Sequence, residues 1–356
     1  MLLFKKLALA PCVYPFLLLL ALSSCNPRAD QSDGQESKLT SNATAAAAPA
    51  PVAILFDTDC GPDYDDVGAI AMLHAFADRG EARILATVSS NLHPLVGPSI
   101  DVLNTYFGRP DLPIGAPKSA GVNMDARQKW ADTLVARYPH RLKSTADAPD
   151  AVAVYRRLLA AQPDTSVTVV TVGFLTNLRN LLASKPDSLS PLDGKALVRQ
   201  KVKQWVAMGG TFPAGKEFNI ERDSTASQLA IDGWPTPILF SGSEIGSKVK
   251  TGLRLVKEDA PGSPVRHVFA ISIPYAKEDQ QGRMSWDQTA VLVAVRGAAP
   301  YYDTQRGRFV ARADGSNGWQ VDPTGPHTIL VQKMAPDSVA REIETLMMHQ
   351  PDRANP

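Results

Sequence analysis

Cysteine is scarce in this chain: Cys12, Cys25 and Cys60 are the only three among 356 residues. Only Cys60 lies beyond the first fifty positions, so no disulfide is expected within the rest of the chain. Histidine is also sparse, with six residues scattered without ligand spacing, which turns attention away from zinc. An excess of either charge is missing too: 37 basic residues face 36 acidic ones, a net +1. A near-neutral chain offers no general attraction for phosphates, which argues against a dedicated nucleic-acid binder. There is no internal repeat, and no second apolar span follows the one near the start, so the remainder is expected to be soluble. What is present is enough apolar material to fold. At 44% hydrophobic residues, disorder of the whole chain is excluded. The length suits one large α/β domain or two smaller ones.

The first fifty residues differ in composition from the rest. Met1-Leu-Leu-Phe-Lys-Lys6 is a short positive region, and Leu7 to Leu22 is mostly apolar, interrupted by Pro11 and Pro15. A positive start, an apolar run and small residues before a cleavage point describe a secretory signal. The ending Leu22-Ser23-Ser24-Cys25 resembles a bacterial lipobox. That resemblance implies a leader over 1–24 and lipidation of Cys25, which would hold an exported protein at a membrane. An ordinary signal peptide, or an uncleaved anchor, is the plainer alternative. Residues 25–51 are rich in Ala, Ser, Asp, Gln and Pro, lack apolar periodicity, and read as a flexible tether.

From Val52 the pattern changes to alternating strands and helices. Apolar runs at Val52–Phe56, Arg83–Val88, Val167–Val172, Val202–Met208 and Pro237–Phe240 read as buried strands. Helical spacing predicts helices over 66–78, 96–107 and 286–295, with another through Leu175, Leu178, Leu181 and Leu182. This alternation predicts an α/β fold over 52–356, a mainly parallel sheet flanked by helices. At the end, 308–312, 318–321 and 328–331 read as a small antiparallel addition, and 338–349 as a closing helix. Ligands of open parallel sheets bind beyond the carboxyl ends of the strands. The residues there are polar and glycine-rich: the loop 57–66, Ser89-Ser90-Asn91, Gly173, Gly209-Gly210-Thr211 and Ser241 to Glu244.

The first of these loops holds five aspartates in ten residues: Asp57, Asp59, Asp63, Asp65 and Asp66. Capping of the next helix accounts for one or two of them. Clustered carboxylates repel unless a cation neutralises them or some keep a proton. With oxygen donors only, Ca²⁺ or Mg²⁺ is favoured.

The run Asp57-Thr58-Asp59-Cys60-Gly61, followed by Asp65-Asp66, resembles the N-terminal signature of the inosine–uridine-preferring nucleoside hydrolases. The resemblance continues in order through Asn91, Val172 to Asn177, Met208-Gly209-Gly210, Glu217-Phe218-Asn219 and Trp286-Asp287. It implies a nucleoside hydrolase-like (Rossmann-like) fold and cleavage of the N-glycosidic bond of a ribonucleoside to free base and ribose. By the same resemblance Asp59, Asp66, the Val172 carbonyl and Asp287 would bind Ca²⁺. Asp59 would also take a proton from a calcium-bound water. Asp65, Asn91, Met208, Glu217 and Asn219 would hold the ribose. Trp286 would stack on the base, at a position where some members carry a histidine acid and some purine-preferring members are similar to this chain. Partners implied are a ribonucleoside and, through the lipid, a membrane; the resemblance leaves room for a homo-oligomer.

The sequence departs from the pattern in three places. Extra residues separate Gly61 from Asp65, so Asp63 either lines the site or, as the favoured reading, caps the helix. Val172 stands where Thr is frequent, harmless if the ligand is a backbone carbonyl. Tryptophan at 286 cannot act as an acid at neutral pH. Packing at the helix start is its plainer reading. His93 reads as an ordinary loop histidine, and Glu244 as solvated surface. Two other readings stay open: a surface lipoprotein that binds nucleosides or ribose without turnover, and a haloacid-dehalogenase-like, Mg²⁺-dependent phosphatase. The second leaves Asn91, Glu217, Asn219 and Asp287 without a role.

Overall fold

The computed structural model describes residues 50–351 except 119. The leader, Cys25 and nearly all of the tether therefore lie outside the described residues. The first half of the fold comprises β1 (Val52–Thr58), α1 (Asp65–Asp78), β2 (Ala82–Ser89), α2 (Val96–Tyr106) and the very short β3 (Ile114–Gly115). After α3 (Trp130–Arg137) and α4 (Ala151–Ala160) come β4 (Val167–Thr171), α5 (Thr176–Ala183), α6 (Gly194–Lys201) and β5 (Val202–Met208). Next are β6 (Ala214–Lys216), α7 (Phe218–Arg222), α8 (Ser224–Gly233), β7 (Ile238–Ser241) and α9 (Ser243–Gly246). Then follow β8 (Lys250–Thr251), α10 (Leu253–Glu258), α11 (Pro264–Ser272), β9 (Arg283–Met284) and α12 (Trp286–Arg296). The described chain closes with β10 (Tyr302–Ala311), β11 (Ser316–Val321), β12 (His327–Gln332) and α13 (Pro336–Met347).

Ten strands form one sheet in the order β3-β2-β1-β4-β5-β7-β12-β10-β11-β6. Pairing is parallel from β3 to β12 and antiparallel from β12 to β6. The small antiparallel addition expected at the end of the chain is present as β10, β11 and β12. These strands extend the main sheet, because β12 pairs in parallel with β7. The edge strand β6 carries no strand signal in its Ala-Gly-Lys sequence and is set by its pairing with β11. The central strands are apolar on both faces because both faces are covered. On β1, Ile54 and Phe56 pack into one core layer and Ala53 and Leu55 into the other. No helix of the described residues is long and apolar enough to cross a membrane.

The chain runs outward from β1 to β2 and β3, then returns to start again at β4 on the other side of β1. The strand order therefore reverses between β1 and β4. The region beyond the carboxyl ends of these two strands is the usual ligand position of such sheets.

Candidate active site

The loops that follow β1, β4 and β5 bound a cavity of about 360 Å³, with β9 and the start of α12 on the far side. Its lining includes Asp59, Asp63, Asp65, Val172, Met208, Glu217, Asn219, Trp286 and Asp287. Seven of the nine residues that the sequence marks for metal, chemistry or ribose are thus on its wall, with Trp286 beside them. Asp66 and Asn91 are not.

Asp66 lies behind the wall, fully buried at the start of α1. Its Oδ1 accepts the Thr58 hydroxyl and, at 3.0 Å, the Cys60 backbone N–H. Its Oδ2 is buried without a hydrogen-bond partner. Burial and the charge of Asp63 push Asp66 up to about 6, against those hydrogen bonds. Asp59 and Asp287 are raised well above the usual carboxylate range, first by burial and then by the charges of the neighbouring aspartates. Asp65 is raised by burial and Asp63, while Arg283 works the other way. One carboxylate oxygen from each of Asp63, Asp65 and Asp66 lies within 4.8 Å of the others, a group able to hold a metal ion.

Asn91 takes a different place from the ribose contact implied for it. Its amide donates to the carbonyls of Asp59 (3.3 Å) and Met124 (2.9 Å). Its Oδ1 accepts the N–H groups of His93 and Met124, both at 3.0 Å. With both amide ends occupied by backbone and no exposed surface, it is a strut behind Asp59. Asp57 also leaves the cluster. It lies on the face of β1 that carries Ala53 and Leu55, away from α1, where Tyr155 Oη (2.9 Å) and Asn177 Nδ2 (3.0 Å) donate to it and burial pushes it up to about 7.

The helix-cap reading of Asp63 is corrected. The N-cap of α1 is Tyr64, with no side-chain cap bond, and Asp63 instead forms an ion pair with Arg283 while lining the cavity. Nor is Glu244 solvated surface: it is partly buried, and its carboxylate accepts the Phe212 N–H at 3.1 Å. His93 is an ordinary loop histidine beside Asp125, at 3.5 Å.

The segment 217–219 turns on its own local bonds. Glu217 caps α7, its Oε1 accepting the Asn219 N–H (2.9 Å) and its Oε2 that of Ile220 (3.1 Å). Burial still pushes Glu217 up to about 7. Asn219 Nδ2 donates to the Val172 carbonyl at 3.1 Å, which joins this segment to the end of β4. Trp286 is pinned by its indole N–H, which donates to Ser243 O at 2.8 Å, and its ring faces the Arg283 guanidinium at 5.0 Å.

Against known proteins, residues 54–338 match the family model described as inosine-uridine preferring nucleoside hydrolase. The chain belongs to that family. As a nucleoside hydrolase, it shares its fold with solved members at low identity. A purine-preferring ribonucleoside hydrolase from Gardnerella vaginalis superposes with a TM-score of 0.66 at 16% identity, over 83% of this chain and 98% of that one. A plant nucleoside hydrolase gives 0.62 at 22% identity, over 84% and 99%. The inosine-uridine preferring enzyme from Bacillus anthracis gives 0.62 at 16%, over 83% and 99%. A search of curated protein sequences returns no match.

Sequence reasoning missed one prominent residue of this hydrolase site. Arg283 on β9 lines the cavity, and its side chain is only 8% exposed. Its one signal in the sequence is indirect: five aspartates in one loop call for a counter-charge, but nothing says which of the basic residues supplies it.

Proposed function

We propose that this nucleoside hydrolase is a Ca²⁺-dependent, purine-preferring enzyme, exported and lipid-anchored through Cys25. The reading rests on one observation above the rest: Asp59, Asp65, Asp287, the Val172 backbone, Glu217 and Asn219 converge on one cavity where the strand order reverses. The donors suit a hard cation. They are all oxygens, they hold one another at raised proton affinity, and the buried Asp66 Oδ2 has no partner. Asp59, Asp66, Asp287 and the Val172 carbonyl would hold the ion. When bound, such a cation neutralises the carboxylates and lowers the proton affinity of nearby oxygens.

The chain's own groups then divide the work. Asp59 receives the proton of the attacking water, held in place by the Asn91 strut and by the ends of β1 and β4. Asp65 accepts the Asp287 N–H at 3.2 Å on one oxygen and Arg283 on the other, which fixes its carboxylate toward the ribose. Glu217 and Asn219 close on the sugar from the opposite wall. As the C–N bond lengthens, positive charge grows on the ribose, and carboxylates fixed around it in a water-poor cavity stabilise that charge. Trp286 offers an immobilised face for the base but no proton. Its flat, apolar surface supports the purine preference.

The test is to offer the purified chain inosine, adenosine, guanosine, uridine and a nitrophenyl riboside, with Ca²⁺ or with EDTA, and to measure ribose release. The expected result is Ca²⁺-dependent release, faster for purine nucleosides, and its loss in Asp59→Asn. Ribose release from none of them, with nucleoside binding intact, would replace the enzyme by a binding protein. Near-normal rates in Asp59→Asn would refute the role of Asp59. Turnover of the nitrophenyl riboside alone would show a site without leaving-group assistance. Retention of Cys25→Ser in the membrane fraction would refute the lipid anchor.

A further inference from the structure

Two residues of the lengthened first loop, Asp63 and Tyr64, both contact Arg283. Asp63 forms an ion pair with its guanidinium, and the Tyr64 ring lies under it at 5.0 Å. Trp286 lies against the same group, also at 5.0 Å. Two further carboxylates face it: Asp65 at 3.2 Å and Asp279 at 3.5 Å. Asp279 is held in turn by the Tyr64 hydroxyl at 2.8 Å. Arg283 is therefore a buried cation held between two rings and surrounded by three acids. A guanidinium suits this setting because it keeps its charge on burial and forks between carboxylates.

Two of those three acids, Asp63 and Asp65, also belong to the trio that could hold a metal ion. The lengthened loop thus adds a carboxylate to the cavity and places the arginine on it.

We propose that Arg283 is a built-in counter-cation of the acidic cavity: it pairs with Asp63 and Asp65, keeps the cluster folded without metal, and opposes cation binding by charge. This rests on the reading that the cluster binds a divalent cation. A fixed unit charge paired with two carboxylates of that trio repels a cation held by them even through a partly screening interior. Its removal is therefore expected to tighten Ca²⁺ binding on the order of tenfold or more. By gripping Asp65, Arg283 is also a positioning residue for the ribose-binding carboxylate.

Calorimetric titration of Ca²⁺ into the chelator-dialysed full chain tests this, together with melting temperatures in EDTA and in excess Ca²⁺. Arg283→Met should bind Ca²⁺ about tenfold more tightly than wild type. It should melt lower than wild type in EDTA, and the gap should narrow when Ca²⁺ is in excess. Arg283→Lys, which keeps the charge, should return the affinity toward the wild-type value. If Arg283→Met does not fold, Asp63→Asn and Asp63→Asn/Arg283→Met give the same comparison with the Asp63 ion pair already absent. Equal Ca²⁺ affinity with and without the arginine, in a wild type that binds Ca²⁺, would overturn this inference alone. A wild-type chain that binds no divalent cation would overturn the reading of the site, and the inference with it.

Discussion

At the scale of single residues, the same residue type does different work according to what its atoms already hold. Asn91 stands in sequence where a ribose contact is implied, but both ends of its amide are occupied by backbone. Removing it leaves the buried Asp59 carbonyl and part-buried backbone groups of His93 and Met124 without this partner, and a buried group so stranded costs about 1–3 kcal/mol. Asn91→Ala should therefore lower the unfolding free energy in urea by about 2 kcal/mol or more. It should also reduce kcat more than it raises KM, because Asp59 loses its support. A ribose contact would behave in the opposite way, raising KM with stability intact, and that outcome would sink the strut. Five aspartates in one loop were visible in the sequence, and so was their need for a cation. Their division was not. Asp57 departs because, with Ala53 and Leu55, it faces the layer of Tyr155 and not that of α1, and Asp63 depends on an arginine more than two hundred residues away.

At the scale of elements, the parallel strands were readable because a strand buried on both faces is a continuous apolar run, and those of β1, β4 and β5 ended at the cavity. The short β3 and β6 were not readable. They have two and three residues, and only their neighbours make them strands. Likewise α3 buries only Trp130, Ala131 and Leu134, too few for a clear stripe. One close approach of two elements lies beneath the cavity, where the ends of β1 and β4 meet. A Cβ on Gly173 would stand 2.4 Å from Asp59 N and 2.8 Å from Asp59 Cβ. Only glycine lets the Val172 carbonyl and the Asp59 carboxylate share one wall. Gly173→Ala must push these strand ends apart, with an overpacking cost of about 1–3 kcal/mol. Weaker Ca²⁺ binding in calorimetry should accompany the loss of stability. A variant with wild-type urea midpoint and wild-type affinity would show that the two loops are not locked together.

At the scale of the whole molecule, the two ends of the described chain support each other and the site. Asn317 on β11 accepts the Thr211 N–H at 3.0 Å and donates to its carbonyl at 2.9 Å, so the last strands brace the loop that leads to Glu217. On the opposite side of the sheet order, His74 joins α1, α2, β2 and the end of the chain. Its ring stacks on Phe107 at 4.8 Å, and Phe107 stacks in turn on His349 at 6.4 Å. Arg109 can only donate, so His74 Nδ1 accepts from it at 3.4 Å, and Nε2–H donates to Asn104 Oδ1 at 3.1 Å. Asn104 then donates to Thr87 at 2.8 Å. Both ring nitrogens are satisfied only in the neutral form. Burial, with the charge of Arg109 added, pulls His74 down from 6.5 to about 3. The folded chain thus refuses a proton that the unfolded chain accepts below pH 6.5. The stabilisation is complete above that pH and is lost as pH falls from 6.5 toward 3, by at most about 1.4 kcal/mol per pH unit. Asp57 and Glu217, pushed up to about 7, give the metal-free protein the opposite slope, since ionising them disfavours the fold as pH rises. Wild type and His74→Gln share those carboxylates, so the difference between the two isolates the histidine. In urea titrations with chelator, the stability advantage of wild type should shrink steadily from pH 6.5 to 4.5. Parallel stability curves over that range would show that His74 gains its proton without leaving the fold, and that the network does not depend on its neutral form.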